Sequence, residues 1–235
     1  MTPERFQKIK DVLNRRQPDL TIIMDNVHKP HNLAAIIRSC DAVGIGDIHG
    51  ISSNERKVGT NLKSAAGSNH WVHLHIHNSI TTVLSNLRSA GFFIYAANTS
   101  ERAKDYRSID YIEPTAMILG AELDGISPGI LSQMDGEIMI PLDGMVASLN
   151  VSVAAAVILF EAQRQRKEAG LYQKNRLDDN TYNKLLFEFS YPDVAKHCQE
   201  SGLSYPALDK GGIHHKIKST KLKYCNCNTN HTRHH

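Results

Sequence analysis

Apolar residues in this chain fall into short runs separated by stretches with helical spacing. The runs at 20–24, 47–51, 71–76, 92–97, 116–120 and 137–140 have the length and composition of strands. Helical patterns lie between them at about 32–43, 79–90 and 126–134. Strand alternating with helix at this spacing predicts an α/β fold, a mostly parallel sheet flanked by helices on both faces. At the N-terminus, Thr2-Pro3-Glu4 supplies a cap followed by proline at the first helical position. A helix should therefore run to about Arg16 and stop before Gln17-Pro18. The most legible helix is 148–169, which Ser148 or Asn150 can cap and Gly170 can end. Its first turns are almost continuously apolar, whereas 161–167 are charged and are expected in solvent. Shorter helices are expected at 181–189 and 193–200, and from about 209 onward the hydrophobic pattern ends.

Composition bounds this picture without identifying it. A hydrophobic fraction of 41% supports a real core. No apolar run approaches the ~20 residues needed to span a bilayer, so no membrane association is expected. Charges at the N-terminus stand where a secretory signal would need its apolar segment, and a cytoplasmic protein is expected. Cys40, Cys198, Cys225 and Cys227 do not form a secreted disulfide framework. Cys225 and Cys227, followed by His231, His234 and His235, are spaced more tightly than a usual zinc knuckle, so no metal is expected. Charge is concentrated at the ends. Residues 1–16 carry Arg5, Lys8, Lys10, Arg15 and Arg16 against two acids, and residues 205–235 carry six lysines or arginines against one aspartate. Because the whole chain is only +3, its middle is acidic, and basic ends on an acidic body suit contact with a polyanion.

Several chemistries are excluded by pattern. Gly44-Ile45-Gly46 continues to His49 where a dinucleotide fingerprint needs glycine, and it follows a helix instead of a strand. The chain has no P-loop, no GxSxG elbow and no HExxH helix. His73, His75 and His77 alternate on one strand face without a carboxylate in sequence beside them, and read as surface histidines. Three polar islands remain. One is 31–38 at a helix start, where Asn32 can cap and Arg38, next to the apolar run 34–37, would be partly buried and need an anion. The second is 119–126, a glycine-bearing loop directly after a strand. The third is 140–152, where a strand ends at proline and Ser148, Asn150 and Ser152 open an apolar helix; capping alone explains one of those three.

These islands together resemble the three motifs of the SpoU branch of the SPOUT methyltransferases. The first matches at Asn32, Ala35 and Arg38, and the second at Gly120, Glu122 and Gly125. The third matches at Pro141, Ser148, Leu149, Asn150, Ser152 and Ala154. The stretches RRQPDLT, VHKPHN, AAGSN and SLNVSVA, with Tyr191-Pro192, extend the likeness from residue 1 to about 207, towards members that methylate a D-loop guanosine of tRNA. The tail from Lys210 does not match. The resemblance implies a deep C-terminal trefoil knot and a homodimer with active sites at the subunit interface. It implies S-adenosyl-L-methionine bound at Ala97, Gly120, Ile140, Leu149, Ser148 and Asn150, and a catalytic set of Arg38, Asn32 and Glu122. The expected organisation is an N-terminal RNA-contacting helix (1–19), a methyltransferase domain (20–170), a C-terminal helical extension (171–208) and a basic, flexible tail (209–235). Arg5, Lys8, Lys10, Arg15 and Arg16 are the expected RNA contacts, with Arg15 and Arg16 foremost. Two alternatives stand beside tRNA methylation: a SPOUT enzyme for another RNA such as ribosomal RNA, and a catalytically inactive RNA-binding protein.

Overall fold

Residues able to bury both faces of a strand decide the centre of the sheet. Every residue of β1 (Leu20–Asp25) and β6 (Thr115–Leu119) is buried, as expected for strands covered by helices on both sides. The computed structural model describes residues 1–27, 29–52, 71–121, 125–209 and 211–212. Among them lie β2 (Asp47–Ile51), β3 (His73–His77), β4 (Phe93–Ala97), β5 (Lys104–Asp105) and β7 (Gly136–Met139), which complete a sheet of order β3-β2-β1-β6-β4-β7-β5. All the described pairings are parallel. Leu119 pairs with Met24 on one side and Ala97 on the other, and Ala97 pairs in turn with Ile138. This register brings the C-terminal ends of four strands level, where open α/β sheets place their ligands.

The helices are α1 (Pro3–Leu13), α2 (Pro30–Ala42), α3 (Ile80–Ser89), α4 (Pro128–Leu131), α5 (Val151–Glu168), α6 (Asp179–Ser190) and α7 (Pro192–Glu200). Alternation along β1 divides the core. Leu20, Ile22 and Met24 pack with Leu33, Ile36 and Ile37 of α2 and Ile158 and Leu159 of α5. Ile23 on the opposite face packs with Val83, Leu84 and Leu87 of α3. A third cluster joins Phe6, Ile9 and Leu13 of α1 to Leu186 and Phe189 of α6, so the N-terminal helix is fastened to the C-terminal ones.

Four expectations need correction. First, α1 ends at Leu13, before the expected Arg16. Second, α4 is one turn long, less than the 126–134 pattern. Third, Asn32 does not cap α2: Pro30 already occupies the first turn, Lys29 is the cap, and Asn32 is 1% exposed. Fourth, the charged end of α5 does not emerge whole into solvent, because Arg166 is completely buried. The inward stripe Ala155, Ile158, Leu159, Ala162 continues by helical spacing to Arg166. Its guanidinium donates to the carbonyls of Tyr111 (2.7 Å), Asp19 (3.0 Å) and Glu113 (3.0 Å), and to the Asp19 carboxylate (2.6 Å). Arg176 grips the same carboxylate through both oxygens, at 2.5 and 2.7 Å. Burial works to raise the Asp19 pKa, but the hydrogen bonds from Arg176 and Arg166 outweigh it and hold the carboxyl below its usual range.

Candidate active site

A cavity of about 440 Å³ opens at the C-terminal ends of β4, β6 and β7, against the start of α5. Ala97, Gly120, Ile140, Ser148, Leu149 and Asn150, the residues the resemblance assigns to the cofactor, all stand on its wall. Asn98 and Thr99 follow from β4, and Ala154 and Ile158 of α5 close the floor. None of the described lining residues is ionisable. A ligand here would meet backbone groups, amides and hydroxyls, so the walls suit binding more than proton transfer. The volume falls in the range of small-molecule sites, about 300–1,000 Å³.

Local sequence explains two of the walls. Gly120 has no alternative: a Cβ there would lie 2.5 Å from the Gly125 carbonyl carbon. Ala121 and Gly125 form an isolated bridge, the Gly125 N–H donating to the Ala121 carbonyl at 2.9 Å, with Gly125 at φ +61°. Glu122, expected to order this loop, lies outside the described residues. On the third loop, Asn150 and not Ser148 caps α5: its Oδ1 accepts from the Ser152 N–H at 2.9 Å and from the Ser152 hydroxyl at 2.6 Å. The Asn150 amide also donates to Asn32 Oδ1 at 3.2 Å. The first and third polar islands, 118 residues apart in sequence, therefore meet in one hydrogen bond.

Arg38 stands elsewhere. It is exposed on α2, does not line the cavity, and forms no ion pair or side-chain hydrogen bond among the described residues. The expectation of partial burial fails because Ile36 and Ile37 turn inward while Arg38, one position on, turns out. Its charge is available to something outside the fold. Of the basic residues assigned to RNA, Arg5, Lys8 and Arg15 are exposed, and Lys10 sits over the Phe6 ring at 5.9 Å. Arg16 is corrected: it is 2% exposed, donates to the carbonyls of Ile45 (2.8 Å) and Trp71, and pairs with Asp41 at 3.3 Å. Its guanidinium is spent inside the protein.

The histidines of β3 have partners on the neighbouring strand. Register sets Asp47 beside His73 and His49 beside His75. His75 Nε2 lies 2.7 Å from Asp47 Oδ1, and His49 Nδ1 lies 3.1 Å from His77 Nε2. The signal is present in the sequence, since Asp47 and His49 alternate on β2 with the same period as the histidines on β3. Among the described residues, no group of three or more histidines, cysteines or acids has metal-binding geometry.

Family membership follows from similarity along most of the chain. The model of the SpoU rRNA methylase family matches residues 19–160, and that of the SpoU rRNA methylase C-terminal region matches residues 164–215. The chain belongs to the SpoU methylase family. A relative from Escherichia coli K12, a tRNA (guanosine(18)-2'-O)-methyltransferase, is 45% identical over 214 residues, 90% of this chain and 93% of its own. The crystal structure of the TrmH/SpoU tRNA modifying enzyme of A. aeolicus superposes with a TM-score of 0.75 at 39% identity, covering 81% of this chain and 97% of that one. The SpoU methyltransferase AviRb of Streptomyces viridochromogenes, in complex with the cofactor AdoMet, has a TM-score of 0.57 at 26% identity, covering 66% of this chain and 59% of that one.

Proposed function

We propose that this chain methylates the ribose 2'-hydroxyl of guanosine 18 in the D-loop of tRNA, with S-adenosyl-L-methionine as methyl donor. The observation that carries the reading is the cavity in which the second and third polar islands meet, tied through Asn150 and Asn32 to the helix that bears Arg38. The E. coli relative gives the substrate: similarity at 45% identity runs along almost its whole length. S-adenosylmethionine supplies, when bound, a methyl group already activated by a sulfonium charge. Backbone groups of Ala97, Gly120, Ile140 and Leu149 would hold it, with Ser148 and Asn150 shaping the pocket. Asn32 positions Asn150, and Glu122 would complete the catalytic set that the family resemblance implies.

Methyl transfer to the ribose 2'-oxygen would leave S-adenosylhomocysteine and pass the 2'-proton to solvent water. Holding oxygen, carbon and sulfur in line is the main task. Arg38 is unsuited to take the proton, because a guanidinium stays charged in proteins. It clamps an RNA phosphate and stabilises charge building on the 2'-oxygen. A homodimer belongs to the same reading. Met145, Val146, Val153 and Phe160 are 103%, 61%, 47% and 50% exposed, an apolar surface along the third loop and α5 that a second copy would cover. The trefoil knot of the fold and a cytoplasmic location follow from the same family reading. No helix among the described residues is long and apolar enough to cross a membrane.

The experiment is transfer of labelled methyl from S-adenosylmethionine to unmodified tRNA, with the product nucleotide mapped and ribosomal RNA tested in parallel. Label at the 2'-oxygen of guanosine 18 is expected. Label on ribosomal RNA alone would overturn the tRNA assignment, and no label on either would favour an inactive RNA-binding protein.

A further inference from the structure

Glu137 lies one residue before the cavity-lining stretch Ile138–Met139–Ile140 and is 7% exposed, yet neither motif matching nor periodicity singles it out. Three residues of the loop that leaves β4 converge on it. Asn98 Nδ2 donates to Glu137 Oε2 at 2.6 Å, and the Ser100 hydroxyl donates to the same oxygen at 2.8 Å. The Arg102 guanidinium lies 3.2 Å from Oε1. The Asn98 N–H adds a backbone bond to the Ile138 carbonyl at 3.0 Å. Asn98 and Thr99 are themselves cavity wall. We infer that Glu137 is a positioning residue, a carboxylate tether that holds the 98–102 loop against β7 and so presets the cofactor side of the pocket. Taking this side of the cavity as the cofactor's rests on the function proposed above.

The chemistry suits a tether. A buried carboxylate accepting two short hydrogen bonds is fixed in place, and those bonds, from Asn98 and then Ser100, hold its pKa below the usual carboxylate range. It therefore stays charged at neutral pH. Arg102 is 80% exposed and contributes little, since solvent screens it. The tether spares the ligand the cost of ordering the loop, so its removal should weaken binding without slowing methyl transfer once the ligand is bound.

The test measures S-adenosylhomocysteine affinity by calorimetry, and kcat and KM for S-adenosylmethionine with tRNA, in the parent and in three variants. In Glu137→Ala the Kd and KM should rise about five- to tenfold with kcat within about twofold. Asn98→Ala with Ser100→Ala, which leaves the carboxylate in place but removes its donors, should behave alike. Glu137→Gln keeps an acceptor oxygen and should recover most of the affinity. Melting temperatures are measured beside them, because a purely structural role would lower stability and kcat together and leave the KM of the folded enzyme unmoved; that result overturns the tether. Parent-like Kd in both Glu137→Ala and the Asn98, Ser100 double variant overturns it as well. A parent protein that binds no S-adenosylhomocysteine overturns the cofactor reading of the cavity and takes the tether with it.

Discussion

Arg38 and His49 show how far one side chain can be read before its neighbours are known. Arg38 is legible by its place in a motif, while its exposure is not, because an apolar run in a helix does not say which face the next residue takes. Exposure makes the prediction sharper. Arg38→Ala should lower methyl transfer to tRNA about 100-fold or more and leave S-adenosylhomocysteine affinity unchanged, since Arg38 does not touch the cavity. Calorimetry beside a turnover assay checks this, and loss of both properties would make Arg38 a support of the pocket. The environment of His49 needs the strand register as well as the period, because its partners His75 and His77 come from another strand. Burial first, then His77 and His75, hold its pKa down to about 4, against the pull of Asp47. A folded-state value below the free value of 6.5 means that the unfolded chain binds this proton more readily. The contribution to stability is complete above about pH 6.5 and drains away as pH falls towards 4. The urea midpoint should therefore drop between pH 7 and pH 5, and drop less in His49→Gln; equal drops in the two proteins would refute the assignment.

Elements are more legible than their ends. The strands at 20–24, 47–51 and 137–140 lie within a residue of β1, β2 and β7 because apolar runs of that length have one role in an α/β sheet. β5 leaves no such trace, since two residues, Lys104 and Asp105, carry no period. In the second half of α5 composition points to solvent and spacing to the core, and at Arg166 spacing prevails. Arg166 ties α5 to the residues preceding β1 and β6, so its substitution acts on the whole element. In Arg166→Met the Tyr111 carbonyl loses its donor, the Glu113 carbonyl keeps only the Thr115 hydroxyl, and a destabilisation of about 3–5 kcal/mol is expected. Urea unfolding at pH 7 measures it; a value below about 1 kcal/mol would mean that water replaces the guanidinium without penalty.

At the scale of the molecule, the fold class is legible in the alternation of strand and helix, and the six cavity residues only through the family resemblance, since Ala97 belongs to none of the three polar islands. The division of the basic residues is not legible. Arg15 and Arg16 are neighbours in the chain and opposite in fate, one exposed and one buried against Ile45 and Trp71. Arg15 instead shares a second cavity with Lys167 of α5, lined also by Tyr172. If RNA runs along this side, Arg15→Ala with Lys167→Ala should weaken all tRNAs alike and lower the salt slope by roughly 0.7–0.9 for each phosphate no longer neutralised. A titration across several salt concentrations checks it, and an unchanged slope would return both residues to a structural role. Gly212 is fixed from two sides. Gly212 lies so close to α1 that a Cβ on it would meet the Phe6 ring at 2.5 Å, and its carbonyl accepts from the Tyr191 hydroxyl at 2.8 Å. Phe6 of α1 and the Tyr191 hydroxyl before α7 thus meet at one residue. A polyanion gripping Arg5 and Lys8 of α1 would thereby brace the C-terminal helices as well, so that binding at one end of the chain is felt as rigidity at the other.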